Sequence, residues 1–453
     1  MKTRAAKLPQ EIWVLVAASF VIALGFGLVA PALPQFARSF DVSVTAATIV
    51  ISSFAFMRLV FAPMSGTLVQ KLGERPVYIV GLLIVAVSTG ACAFAGEYWQ
   101  LLLFRSLGGI GSTMFTVSAL GLIIRMSPPD SRGRVSGLYA TSFLMGSIGG
   151  PLVGGALLQF GLRMPFIIYA IALVIAALVV FVSLRGSHLA SPDKAVDVKS
   201  MTLTEGLQSP VYRAALGSNL AFGGVIFGVR VAMVPLFVVE FLGRDPSIAA
   251  YALTIFAVGN ALVLIVSGRL SDRFGRKPFV VSGLLICGLG TIAMGFTDNL
   301  VLFFAIAAVT GVGSGLMSPA QQAAVADVVG STARGGPVLA VFQMMSDIGG
   351  VVAPICAGLI AQHVSYSAAF AVMGAVVVVS ATGWLFVPSR TKPVESVVED
   401  LTDVTALTDT PARTNLDGPG ILYSRSGGNS HRESCGPIGF GGRLADFRGT
   451  QVL

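Results

Sequence analysis

Four ionisable side chains lie deep inside long apolar runs of the chain: Arg58, Arg105, Arg230 and Asp347. Charge at such depth is costly to bury and marks functional positions by default. Asp347 is the one carboxylate near the middle of its run. Burial and a neighbouring guanidinium act on a carboxylate in opposite senses, so Asp347 can load and release a proton if its access changes sides. A static ion pair that holds helices together is the alternative reading. Arg58 lies eight residues from Gly66, about 12 Å along a helix. Asp347 lies ten residues beyond Pro337, about 15 Å by the same rise, so the two depths agree within about one turn. Glu240 and Asp327 stand at the ends of apolar runs and read as solvated. No nucleophile–base arrangement occurs, so an enzyme is not expected. Cys92, Cys287, Cys356 and Cys435 show neither paired nor metal-ligand spacing, and His188, His363 and His431 lie far apart. No metal and no cofactor is expected beyond a proton gradient as energy source.

The elements that position these residues follow from composition. Of 453 residues, 54% are apolar and 11% charged, with a mean hydropathy of +0.82. A soluble domain carries about 25% charged residues, and runs of about 20 apolar residues are long enough to cross a bilayer as helix. Twelve such spans occur: Ile12–Leu33, Thr45–Leu68, Val77–Ala95, Trp99–Ile124, Val135–Leu158, Pro165–Leu184, Arg213–Phe241, Ile248–Leu270, Phe279–Phe296, Leu300–Val328, Val338–Ala361 and Ala368–Val387. Lys2, Arg4 and Lys7 precede the first, which reads as a retained span rather than a cleaved signal. The net charge of +8 does not imply nucleic acid, because the basic residues gather in alternate loops. One set, with the N-terminus, holds Lys71, Arg75, Arg125, Arg132, Arg134, Arg269, Arg273, Arg276, Lys277 and Arg334; the opposite set holds only Arg38, Arg163 and Arg244. The positive-inside rule then places both termini in the cytoplasm. Residues 1–184 read as one six-helix bundle, 185–212 as a cytoplasmic linker and 213–388 as a second bundle. Residues 389–453, rich in Gly, Ser, Thr, Asp and Arg, read as a disordered cytoplasmic tail.

The two halves are duplicates. Gly66–Pro76 (GTLVQKLGERP) returns as Gly268–Pro278 (GRLSDRFGRKP), 202 residues later. Gly109 and Gly111 map onto Gly311 and Gly313 at that offset, and Pro151 onto Pro354 with one residue of slippage.

These residues resemble the major facilitator superfamily over residues 10–390. Its loop signature is complete in the second half at Gly268, Asp272, Arg273, Gly275, Arg276 and Lys277. The first copy keeps Gly66, Lys71, Gly73 and Arg75 but has Gln70 in place of the usual Asp. That departure removes a carboxylate which in the family pairs with the opposite bundle, so this lock is expected to be weak. Arg105, Gly109 and Gly111 are similar to the family's second motif. In the fifth span Gly137, Gly146, Gly150, Pro151, Gly154 and Gly155 match, spacing for spacing, the antiporter motif of drug:proton exporters. Glycines along one helix make a flat face for close bundle contact, and the proline permits a bend. The first span, GFGLVAPALP, is similar to the opening of many twelve-span exporters but lacks an embedded carboxylate.

The resemblance implies an all-α membrane protein of twelve transmembrane helices in two pseudo-symmetric six-helix bundles, working by alternating access. It implies that spans 2 and 11 face each other, which makes Arg58 and Asp347 a candidate switchable pair. It puts Arg105 and Arg230 on spans that line the central cavity, where either could hold an anionic substrate group or tune Asp347. Phe26, Phe115, Phe222 and Phe227 are candidate cavity aromatics, although core packing explains them equally well. The function expected is export of small amphipathic compounds, antibiotic or drug-like, from a bacterial cytoplasm across the plasma membrane in exchange for protons. The partners are lipid bilayer, small-molecule substrate and protons, without nucleic acid, in a monomer. The alternative is a transporter of the same fold for an endogenous metabolite such as a sugar, amino acid or siderophore.

Overall fold

A computed structural model of the chain describes residues 9–126, 132–185, 201–329 and 336–387. The expected tail, the centre of the linker and the side chain of Phe227 lie outside the described residues. Twelve described helices are long and apolar enough to cross a membrane. We number them α1 (Gln10–Val29), α2 (Val44–Leu72), α3 (Glu74–Ala93), α4 (Tyr98–Met126), α5 (Arg132–Leu157), α6 (Met164–Ser183), α7 (Pro210–Phe241), α8 (Pro246–Phe274), α9 (Arg276–Met294), α10 (Leu300–Val329), α11 (Gly336–His363) and α12 (Tyr366–Leu385). Helices satisfy their own backbone groups, so apolar sequence of this length can cross lipid in this form. Polar side chains close the ends. The Ser43 hydroxyl accepts from Ala46 N at 3.1 Å to cap α2, Asp245 accepts from Ser247 N at 2.8 Å to cap α8, and Ser365 accepts from Ala368 N at 3.0 Å to cap α12. Pro31 and Pro34 divide the first expected span, leaving α1 to end at Val29 and a separate short helix at Leu33–Arg38.

The duplication is visible in the packing. In the first half α1 packs on α5 and α6, α4 on α2 and α3, and α3 on α6; in the second, α7 packs on α11 and α12, α10 on α8 and α9, and α9 on α12. The halves meet along two symmetry-related seams, α2 against α11 and α5 against α8. The signature loops repeat as well. Gly73 (φ 84°, ψ 161°) and Gly275 (φ 93°, ψ 155°) adopt a conformation open essentially to glycine alone, ending one helix and starting the next within one residue.

Among the described residues, the apolar contacts that join the bundles gather towards one face. The apolar core of the first half continues into the second through Val231, Phe237, Leu253 and Phe370, all near the face opposite the start of α1, which we call the far face. The rest of the second bundle, towards the face where α1 starts, has a core of its own around Tyr212, Leu284, Met317 and Trp384.

Candidate functional site

The seam between α2 and α11 carries the first element of the site. Arg58 and Asp347, on opposite bundles, approach to 3.5 Å between Nε and Oδ1. Their side chains retain 19% and 8% of their exposure. Arg58 Nη1 also donates to Ser112 Oγ of α4 at 3.0 Å, fixing the guanidinium from its own bundle. The duplication supplies a control within the molecule. Asn260, 202 residues after Arg58, donates to Ser314 Oγ at 3.1 Å, and Ser314 is the duplicate of Ser112. The position in α5 that corresponds to Asp347, with the one-residue slippage, is Leu144. One seam therefore carries a guanidinium and a carboxylate where the other carries an amide and an apolar side chain.

Two further guanidinium groups sit over duplicated phenylalanines. Arg105 of α4 lies over the Phe54 ring at 4.1 Å, and Arg230 of α7 over the Phe256 ring at 4.4 Å; Phe54 and Phe256 are 202 residues apart. Arg105 comes from the same half as its ring through α4, whereas the second half uses α7, so the arginines themselves are not duplicates. Neither has a hydrogen-bond or carboxylate partner among the described residues, and the Nε of each is buried without one. A cation over an aromatic face gains about 0.5–2 kcal/mol, less than the several kcal/mol lost when a charge is desolvated.

Two adjoining cavities converge on Arg230. One is lined within the second bundle by Val225, Val229, Phe256, Thr291 and Met294 as well as Arg230. The other lies between bundles, with Phe26, Gly27, Ser147 and Pro151 from the first half and Arg230, Val231 and Leu253 from the second. Phe26 is thus a cavity residue. Phe115 is not: it is buried in the first-half core with its ring edge-on to Tyr78 at 6.5 Å. Phe222 packs against the separate core of the second half and lines neither cavity. Periodicity also failed to show that α7 is π-helical over Gly224–Met233 and again over Phe237–Phe241. Such segments are rare and concentrate at functional sites.

The antiporter-type glycines face mainly inward. A Cβ on Gly146, Gly150 or Gly154 would stand 2.5 Å from the carbonyl oxygens of Phe20, Leu24 and Leu28 of α1, one residue per turn. Their flat face therefore locks α5 to α1 within one bundle. Gly155 alone of the set meets the other bundle, 2.5 Å from Ala250 Cβ of α8, while Gly137 faces open space. Pro151 lines the inter-bundle cavity beside Gly27.

The signature loops brace each half. Arg75 donates to Phe181 O at 3.0 Å, and its duplicate Lys277 to Leu385 O and Val387 O at 3.0 and 2.7 Å, tying each loop to the end of the sixth helix of its half. In the second half Arg276 bridges Asp272 and Asp327, the latter at 3.1 Å; Asp327 is exposed, as expected at a span end, and carries this ion pair as well. The Arg273 guanidinium lies over the Phe274 ring at 5.4 Å. Gln70 is exposed. The residue one turn after it is Glu74 where the second half has Arg276, so an Asp at position 70 would face a like charge at i+4. The missing carboxylate belongs to a changed pair. Gly66 and Gly268 have no neighbour at the Cβ position.

At the far face lies a network the sequence reading missed. Glu240, expected to be solvated, accepts from Arg38 Nε at 2.6 Å and from the Tyr366 hydroxyl at 2.7 Å. Thr45 Oγ1 donates to Gln362 Oε1 at 2.7 Å nearby. Arg38 and Glu240 are 202 residues apart, so duplicated positions of opposite charge meet across the pseudo-symmetry axis. Charge complementarity at that offset was the available signal. Among the described residues no three His, Cys, Asp or Glu side chains gather as metal ligands would.

The family model described as Major Facilitator Superfamily matches residues 15–233 and, a second time, 215–425. Quinolone resistance protein NorA of Staphylococcus aureus (strain MRSA252) is 26% identical over 355 residues, spanning 77% of this chain and 89% of that protein. Tetracycline resistance protein, class E, of Escherichia coli is 25% identical over 346 residues, spanning 74% and 84%. A solved bacterial homologue of the human lysosomal transporter Spinster, in an inward-facing and unoccupied conformation, superposes with a TM-score of 0.67 at 19% identity over 90% of this chain and all of the other.

Proposed function

Since the chain belongs to the major facilitator superfamily, we propose that this multi-pass membrane transporter exports small amphipathic compounds from a bacterial cytoplasm in exchange for protons, by alternating access across the plasma membrane. The observation that carries the reading is the Arg58–Asp347 pair, placed across one of two duplicated seams and within a bundle interface that can part. Likeness to two resistance proteins supports a drug-like substrate. The positive-inside rule makes the N-terminal face cytoplasmic, and apolar contacts gathered at the far face fit a molecule that loads substrate from inside.

In the cycle, Asp347 takes its proton from the outside and gives it up to the inside. While ionised it holds α11 to α2 through Arg58; once neutral it releases Arg58, and the seam is free to rock. Substrate binding reports to the same seam through α7. A Cβ on Gly228 would stand 2.9 Å from Ala353 Cβ of α11, and one on Gly349 would stand 2.8 Å from Gly224 N, two residues along α11 from Asp347. A displacement of α7 by substrate therefore presses directly on the helix that carries the proton site. Proton and substrate need share no ligand to be coupled; a shared two-state seam is sufficient.

The test is a susceptibility and accumulation screen in an efflux-deficient host, comparing wild type with Asp347→Asn, with and without an uncoupler. The expected result is lower accumulation of a subset of compounds by wild type, abolished by either treatment. A screen in which no compound's accumulation changes would move the reading to an endogenous metabolite, which the unpaired Arg230 favours over a cationic drug.

A further inference from the structure

We infer that Arg230 is an anion-binding point and that the preferred substrate is an amphipathic carboxylate, with its charge on this guanidinium and its apolar body against the apolar walls of the two adjoining cavities. The inference deepens the export reading and rests on it for the word substrate, though not for the site. Arg230 has no hydrogen-bond or carboxylate partner among the described residues, and its Nε is buried unpaired. One face of the guanidinium is covered by Phe256 at 4.4 Å. A ring on one face holds the group flat and leaves its edge, where the N–H donors lie, for a ligand. That edge is a planar fork matched to a carboxylate. Both cavities are bounded mainly by apolar side chains, Val225, Val229, Met294, Ala23, Phe26 and Leu253 among them. An apolar cavity with one unpaired fork selects for one charge of opposite sign on an apolar frame, and it rejects a cation.

Arg230 differs here from the other two embedded arginines. Arg58 already has Asp347 and Ser112, while Arg105 lines neither cavity. Of the three, only Arg230 borders both spaces, and Phe26, Ser147 and Pro151 across from it belong to the first half. A carboxylate held there would be gripped from both halves. It would also sit on the π-helical stretch of α7, a kind of segment that is rare and frequent at functional sites.

The test uses the purified full chain in lipid nanodiscs, with 1-naphthylacetate and its uncharged analogue 1-naphthylacetamide as probes, binding being read by equilibrium dialysis. Wild type is expected to bind the carboxylate at least about tenfold more tightly than the amide, the scale of a charged hydrogen bond. Arg230→Gln should bring the ratio to about one by weakening only the carboxylate. Arg230→Lys, which keeps the charge but loses the fork, should fall between, and keeps the test decisive if the Gln variant does not fold. A wild-type ratio near one, no binding of either probe, or a ratio unchanged in both variants overturns the inference. Uncoupler-sensitive export of other compounds alongside such a result leaves the transport reading standing. Arg230-dependent binding of a carboxylate that cells then fail to export supports the site and counts against export.

Discussion

Breaking the Arg58–Asp347 pair from each side, and from both, gives the sharpest test of how the bundles are coupled. At 3.5 Å between Nε and Oδ1, two unit charges attract by about 5 kcal/mol at the effective dielectric of about 20 that suits protein interiors. Two features reduce that figure. Arg58 keeps 19% of its side-chain exposure, and its Nε makes no well-aligned hydrogen bond, so part of the attraction is screened and part is lost to geometry. A coupling energy of about 1.5–3 kcal/mol is then expected from the double-mutant cycle, within the range measured for close charge pairs. That corresponds to a factor of about 10 to 150 in an equilibrium constant. The variants are Asp347→Asn, Arg58→Gln and the two together. One arm of the assay is reversible unfolding in mixed micelles, which yields the interaction term directly. The other is uncoupler-sensitive export of whichever compound the screen identifies. Each single variant should lose at least about tenfold in export, in keeping with the lower end of that range. The double variant should be no worse than Asp347→Asn, because the second change removes a partner already lost. Additive unfolding losses with an interaction term under about 0.5 kcal/mol would refute the pairing. So would an Arg58→Gln protein that exports as wild type does while Asp347→Asn does not. The asymmetry of the seams supplies an internal comparison: Asn260→Leu together with Leu144→Asn, on the other seam, should show no such coupling.

Two further outcomes follow from the geometry. At the far face, Arg38 and Glu240 keep 35% and 25% of their exposure, so the pair contributes about 0.5–1 kcal/mol, while the Tyr366 hydrogen bond to Glu240 lies within the second half and does not cross the bundles. Arg38→Glu should therefore shift the population at least about two- to fivefold towards far-face opening, seen as longer spin-label distances across that face. The exchanged pair Arg38→Glu with Glu240→Arg should restore the wild-type distribution, and failure to do so would mean that charge does not hold this gate. In α5, Gly150→Ala places a Cβ 2.5 Å from Leu24 O and 2.7 Å from Gly27 Cα, and should cost about 1–3 kcal/mol of unfolding free energy through overpacking. Gly137→Ala, facing open space, should be neutral or gain up to about 1 kcal/mol from helix propensity. Equal effects of the two substitutions would show that the motif glycines are not there for close approach.

The sequence alone determined the class, the number of spans, the duplication and the depth of the charged residues. All of these depend on local quantities. Hydropathy follows from the side chains in a 20-residue window, the repeat from residue identities at a constant offset of 202, and depth from the helical rise. The placing of Arg58 opposite Asp347 was reached because depth can be counted and the family supplies which helices face each other. What only the tertiary structure decided concerns direction around the helix axis and pairing between distant segments. Glycines at 146, 150 and 154 repeat every four residues and so share one helix face, but nothing local says whether that face meets α1 or α8. Phe26, Phe115 and Phe222 are equally apolar in sequence, and only packing separates the first, which borders a cavity, from the others, which fill cores. Arg230 becomes significant through two cavities and a ring contributed by segments far from it in the chain. Glu240 reads as solvated at the end of its span and is exposed; its duplicate Arg38, brought across the symmetry axis by the folding of both halves, adds an ion pair that nothing local shows.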